Sequence, residues 1–212
     1  MDALRVSGDV PGSRPVGPAD PADPAGGAHA SDRDLLSAVA RREPAAVRRL
    51  LDEVAPTVFG YLYARVGGDQ PAAEDLLQET LFEAVRSAGS YRGDASLSTW
   101  LCAIARRRLA RHYERERRAD AARSGLRVVR DDAAAQTGEV EDVERRDEVV
   151  RALGRITVVH RQVLVLKYLD GRSVEEIAAE LGRTRVQVQS LLQRARDALR
   201  RELGEDADAS DG

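Results

Sequence analysis

Residues 173–201 read SVEEIAAELGRTRVQVQSLLQRARDALRR, and this stretch decides the fold. Ser173 followed three residues later by Glu176 is a capping-box pattern, so a helix opens there. Ile177, Ala178 and Leu181 give it a short apolar face, and Gly182 turns the chain. From Arg185 to Arg201 a longer helix follows, in which Val188, Leu192, Ala195 and Leu199 recur at spacings of four, three and four and form one buried stripe. Short helix, glycine turn and longer helix make a helix-turn-helix. Residues 181–201 carry six arginines against one aspartate, a charge suited to phosphates flanking a major groove. The candidate DNA contacts are Arg183, Arg185, Gln187, Gln189, Ser190, Gln193, Arg194 and Arg196. Glutamine suits adenine, because its amide offers a donor to N7 and an acceptor to the N6 amine. A solvated helix in a plain hairpin is the competing reading, and the basic bias weighs against it.

Working outward, Val149, Val150, Leu153 and Ile156, then Val163, Leu164, Leu166 and Leu169, predict two more helices, parted near Thr157 and stopped at Asp170-Gly171. These complete a domain over 146–203, followed by an acidic tail at 204–212. Upstream the charge segregates: residues 101–130 hold ten arginines against three acids, whereas 131–148 hold eight acids against two arginines. Sparse apolar residues across this reversal predict a flexible linker over 116–145.

Before the linker, residues 31–115 predict four helices. The first starts at a Ser31-x-x-Asp34 cap and carries Leu35, Leu36 and Val39; the second runs from Pro44 to Val66, with a bend at Pro56 and a stop at Gly67-Gly68. The third opens near Asp69-Gln70-Pro71, with Glu74 and Asp75 in its first turn and Leu76, Leu77, Leu81 and Val85 as its stripe. After a loop at 89–95, Leu97, Leu101, Ile104, Ala105 and Leu109 mark the inner face of a fourth helix whose other side is nearly all arginine. Residues 1–30 hold five of the eight prolines and no apolar periodicity, which predicts a disordered tail. The fold class is therefore all-α: two small helical domains joined by a flexible linker.

The chain has 212 residues, 42% hydrophobic and 33% charged, with a formal charge of −3. A lone Cys102 and the scattered His29, His112 and His160 offer no disulfide and no zinc spacing; His112 and His160 read as surface or cap residues. No catalytic constellation or phosphate loop is present, so neither an enzyme, a cofactor, a metal nor a small-molecule substrate is expected. The absence of a long apolar run predicts a cytoplasmic protein without membrane insertion. Tyr91, Ser96, Ser98, Thr99 and Trp100 just before the arginine run suit single-stranded nucleic acid, since bases stack on aromatic and guanidinium planes. Trp100 taken alone reads as a core anchor. The exposed Asp75, Gln78 and Glu79 suit a basic partner helix, or an ordinary packing element.

Ala73 to Thr80 (AEDLLQET), Tyr91 to Leu101 (YRGDASLSTWL) with Ile104 to Arg106, and His160 to Leu164 (HRQVL) with Glu176 to Ala178, Ser190 and Arg194 to Arg196 together resemble the sigma-70 family of bacterial transcription initiation factors, in its extracytoplasmic-function group. The resemblance covers roughly Asp34 to Leu203. It implies a four-helix region 2 at 31–115 and a region 4 helix-turn-helix at 146–203. It also implies core RNA polymerase, promoter DNA and an anti-sigma factor as partners. Asp75, Leu76, Gln78 and Glu79 would then bind the polymerase core. Tyr91, Arg92, Ser96, Thr99, Trp100, Arg106, Arg107, Arg108 and Arg111 would meet the minus-10 element and its single strand, and the helix-turn-helix residues the minus-35 element. The chain departs from the family pattern at Leu81-Phe82 and Val85, at Ile156-Thr157, at Gln189 and Leu191, and at Arg107 and Arg111, so the promoter sequence does not carry over. The rival reading is a stand-alone helix-turn-helix regulator with an N-terminal helical sensor or interaction domain.

Overall fold

The computed structural model describes residues 24–123 and 141–204, whose regular structure is entirely helical. The first part of the expected tail, the centre of the expected linker with Asp131, Asp132 and Glu139, and residues 205–212 lie outside the described residues.

Helix α1 (Pro24–Ala40) starts at Pro24, so Ser31 lies inside it and is not its cap. Proline is at home in a first turn, where its missing N–H would have no partner anyway. Arg42, at φ 63°, turns the chain into α2 (Pro44–Arg49), which continues through a π-helical segment (Leu50–Val54) into α3 (Ala55–Arg65). Pro56 has no N–H for the i−4 carbonyl, and the ladder widens just before it, giving a π-bulge where the sequence predicted a bend. Gly67 and Gly68, at φ 73° and 79°, end this rod.

Helix α4 (Gln70–Arg86) is capped by Asp69, whose carboxylate accepts from the Ala72 N–H at 3.0 Å. Because the helix starts at Gln70, Glu74 and Asp75 fall in its second turn, beyond the strongest part of the dipole, and not in the first as expected. Helix α5 (Leu97–Arg123) is capped from both sides: Ser96 Oγ accepts from the Thr99 N–H, and Asp32 of α1 accepts from the Leu97 N–H at 2.9 Å. At 27 residues it spans about 40 Å. It overruns residue 115 because the following Glu, Arg and Ala residues are good helix formers.

The second body comprises α6 (Glu141–Arg155), α7 (Val158–Leu164) with a π-helical continuation (Val165–Leu169), α8 (Val174–Leu181) and α9 (Arg185–Leu203). Thr157 caps α7 through the His160 N–H, and both Ser173/Glu176 and Thr184/Gln187 form complete capping boxes. Gly182 takes the left-handed φ of 61° that the turn needs. The expected linker boundaries thus both fall inside helices, at the end of α5 and the start of α6.

Two apolar cores result. Leu36, Val58, Leu62, Leu76, Leu97 and Leu101 are buried in the first. Val163, Ile177, Val188, Leu191, Leu192 and Ala195 are buried in the second. Each fully buried Leu, Val or Ile contributes about 1.5–3 kcal/mol against leaving it exposed. Leu191 joins this core and Leu199 is only partly buried, so the inward stripe of α9 is rotated from the expected one.

The bodies also pack on each other. Val158 of α7 is buried in the first core, and Arg65 meets Asp170 at 2.6 Å with both side chains 10% exposed or less. The Arg65 guanidinium lies 3.5 Å from the Tyr61 ring centroid, and its backbone carbonyl accepts from Tyr113 Oη at 2.5 Å. Arg161 reaches Glu116 at 2.8 Å. Gly67 faces Gly154 so closely that a Cβ on Gly67 would lie 2.6 Å from the Gly154 Cα.

Candidate nucleic-acid and protein interfaces

Along α9 many of the expected DNA contacts are already engaged. Arg185 Nε sits 2.8 Å from Glu175. Gln187 closes the capping box: its side-chain oxygen accepts from the Thr184 N–H at 2.9 Å, which ties its amide to the helix end. Gln193 donates to Asp197 at 3.2 Å and accepts from Arg196 at 2.8 Å. Arg194 donates weakly to the Ser190 carbonyl, at 3.4 Å. Arg196 turns toward α6 and α7, lining with Arg200, Leu153, Leu164, Tyr168, Leu199 and Leu203 a groove of about 280 Å³. Arg183, Gln189 and Ser190 are exposed, and among the described residues their side chains have no hydrogen-bond or ion-pair partner. Burial, then the nearby Arg194 and Arg201, push the His160 imidazole below its ordinary pKa.

The segment before α5 is tighter than its sequence implied. Tyr91 is only 6% exposed, with its hydroxyl donating to the Ala95 carbonyl at 2.6 Å and its ring 5.2 Å from that of Trp100. It therefore holds the 91–96 loop in shape and does not present a free face to a base, which corrects its expected role. Trp100 is partly buried against the first core, as an anchor would be. Arg92 is exposed, and its carbonyl accepts from the Arg33 guanidinium. Ser96 and Thr99 hydroxyls bond each other at 2.8 Å. Arg106, Arg107 and Arg111 project from α5 into solvent. Arg108 does not: it is folded against α4, 2.9 Å from Glu83 and 3.7 Å from Glu79, so its charge is already matched.

On α4, Asp75 and Gln78 are exposed and Glu79 is half-buried between Arg108 and Arg115. Leu76 is 1% exposed and belongs to the core, and it lines the base of the groove between α4 and α5. Phe82, 72% exposed, is the feature that sequence reasoning missed. The signal was present, since Phe82 sits one turn from Gln78 and Glu79 and off the inward stripe. It joins Asp75, Gln78, Glu79, His112 and Arg115 around a groove of about 420 Å³ between α4 and α5. His112 is not a surface residue: its Nε2 lies 3.2 Å from Glu116 and its side chain is 16% exposed. Burial pushes the Glu116 carboxyl up, but the hydrogen bond from His112 and the Arg161 guanidinium outweigh it and hold the pKa below the usual range.

Among the described residues no group of His, Cys, Asp and Glu is arranged to hold a metal ion, and no helix is long and apolar enough to cross a membrane. Residues 50–119 match the family model for Sigma-70 region 2, and 146–199 the model for Sigma-70, region 4. The ECF RNA polymerase sigma factor BldN of Streptomyces coelicolor is 33% identical over 181 residues, spanning 78% of this chain and 63% of that one. RNA polymerase sigma factor CarQ of Myxococcus xanthus is 32% identical over 154 residues, 71% of this chain and 85% of that one. ECF RNA polymerase sigma factor SigL of Mycobacterium tuberculosis is 31% identical over 175 residues, 80% and 96% of the two chains.

Proposed function

The chain belongs to the sigma-70 family of RNA polymerase sigma factors, in its extracytoplasmic-function group, and from that premise we propose a division of its surface among core polymerase, the minus-10 element and the minus-35 element. Asp75, Gln78 and Glu79, with Phe82 beside them, form the polymerase-binding face; carboxylates around an exposed aromatic suit a basic, partly apolar helix of the partner. Arg92, Arg106, Arg107 and Arg111 follow the phosphates of the melted segment, while Tyr91 and Trp100 hold the loop that receives an unstacked base. Arg183, Gln189, Ser190 and Arg194 serve the upstream duplex. The protein acts in the cytoplasm, where polymerase and promoter are. The observation that carries this reading is the sorting of the arginines: Arg106, Arg107 and Arg111 are left exposed on one helix while Arg108 and Arg115 are matched by Glu79 and Glu83 of its neighbour.

Two promoter elements about one and a half to two helical turns apart lie roughly 50–70 Å from each other. In this reading the contact between the bodies, with Arg65 on Asp170 and Gly67 on Gly154, opens when both elements are read together. The test is runoff transcription with purified core RNA polymerase on pooled genomic fragments, followed by mapping of RNA 5′ ends. New starts sharing two upstream elements are expected, and they should vanish with Arg106, Arg107 and Arg111 all replaced by alanine. Binding of duplex DNA by the chain alone, with no new starts, would instead favour a stand-alone helix-turn-helix regulator.

A further inference from the structure

We propose that Val186 reads the C5 methyl of one thymine in the minus-35 element, an inference that rests on α9 being the helix that enters the major groove. Val186 is the second residue of α9, and the N-terminal residues of a recognition helix are the ones that reach base edges. It is 73% exposed, while Val188, Leu191, Leu192 and Ala195 of the same helix are buried. Val186 lies outside the apolar core, and the chain is net basic around it, which points to nucleic acid as the occupant.

Its neighbours leave it as the tip of the helix. Arg185 is drawn back to Glu175 at 2.8 Å, and Gln187 closes the capping box at 2.9 Å. The next residues on its face are Gln189 and Ser190, three and four positions on, both exposed and without a side-chain partner among the described residues. All four bases present polar donors or acceptors in the major groove, and thymine alone adds a methyl group beside its O4 acceptor. A valine against a polar edge would strip water from it without replacing a hydrogen bond; against a thymine methyl it buries apolar surface on both sides. The side chain is also suited to the task, because a β-branched residue in a helix holds essentially one rotamer and loses little freedom on contact.

Burying one methyl group corresponds to roughly a four-fold preference. The experiment uses holoenzyme assembled from the full chain and core polymerase, on a promoter located by 5′-end mapping. Each thymine of the minus-35 element is replaced in turn by deoxyuridine, which removes the C5 methyl and nothing else. Wild-type initiation at limiting holoenzyme should fall about four-fold at one position and hold steady at the others. Val186→Ala should be weaker on the unmodified promoter and indifferent to deoxyuridine at that position, whereas Val186→Ile should keep the discrimination. Two outcomes overturn the inference: no position sensitive to the methyl in the wild type, or full sensitivity retained in Val186→Ala. If no template supports initiation, the promoter-reading assignment itself falls, and this inference with it.

Discussion

The two helical bodies satisfy their polar groups in different ways. The first ties together residues far apart in the chain: Asp32 caps α5 at Leu97, Arg108 of α5 meets Glu83 of α4, and Tyr113 reaches the Arg65 carbonyl. The second relies mainly on partners three or four residues away, in the Ser173/Glu176 and Thr184/Gln187 boxes and in the Arg172–Glu176 and Gln193–Asp197 pairs, with Arg185 on Glu175 as a link between α8 and α9. Local pairs form with the helix itself, so most of the exposed face of α9 is set within that helix, Arg185 being held from α8. Long-range pairs exist only after the first body has packed, and its basic face is the remainder left when α4 has matched part of the charge on α5.

The sharpest way to break this contrast is to attack the pair that joins the bodies. Asp170→Ala strands the Arg65 guanidinium in a buried site, and urea unfolding should show a loss of about 3–5 kcal/mol. Arg65→Met combined with Asp170→Leu should recover most of it, which a simple loss of packing would not allow. Next comes the cohesion of the cores. Leu101→Ala in the first and Leu191→Ala in the second should each cost about 2–5 kcal/mol. Hydrogen exchange should show Leu101→Ala loosening α7 as well as α5, because Val158 of α7 is embedded in that core; protection of α7 unchanged from wild type would separate the bodies.

A smaller effect probes the local devices. Thr184→Ala should remove about 1 kcal/mol and confine its change in exchange to the first turn of α9. Smallest is the response to acid. The Glu116 carboxyl has a folded pKa below its unfolded value, so the folded state binds fewer protons there, and the stabilisation is complete above about pH 4.5 and is lost as pH falls through the folded pKa. Stability followed by fluorescence should therefore decline on acidification below about pH 4.5, and Glu116→Gln should flatten that limb of the profile.

This contrast also explains what could be read from sequence. Both helices of the helix-turn-helix, the Ser173 box, the Gly182 turn and the Val188–Leu192–Ala195 stripe follow from spacings of a few residues, and the structure has all of them. The basic face of α5 was legible as charge, but not which arginines would be matched, because Glu79 and Glu83 lie on another helix. The same limit applies to Tyr91, whose burial depends on Trp100 and the loop, and to His112, whose partner Glu116 is in turn held by Arg161 of the second body. Leu76 was legible as part of a stripe, and only packing separated it from its exposed neighbours Asp75 and Gln78. Val186 was hidden in plain view, since pattern analysis looks for apolar residues that repeat and it repeats with nothing.

Gly154 lies within α6 in ordinary helical backbone, opposite Gly67. Alanine there would strengthen the helix locally by about 0.8–1.0 kcal/mol, yet the added methyl would run into the Gly67 carbonyl oxygen and wedge the bodies apart. One carbon atom thus sets the interest of a helix against the interest of the molecule. Glycine on each side makes the approach possible: a single methyl on either half of the chain, the smallest side chain there is, is enough to forbid it.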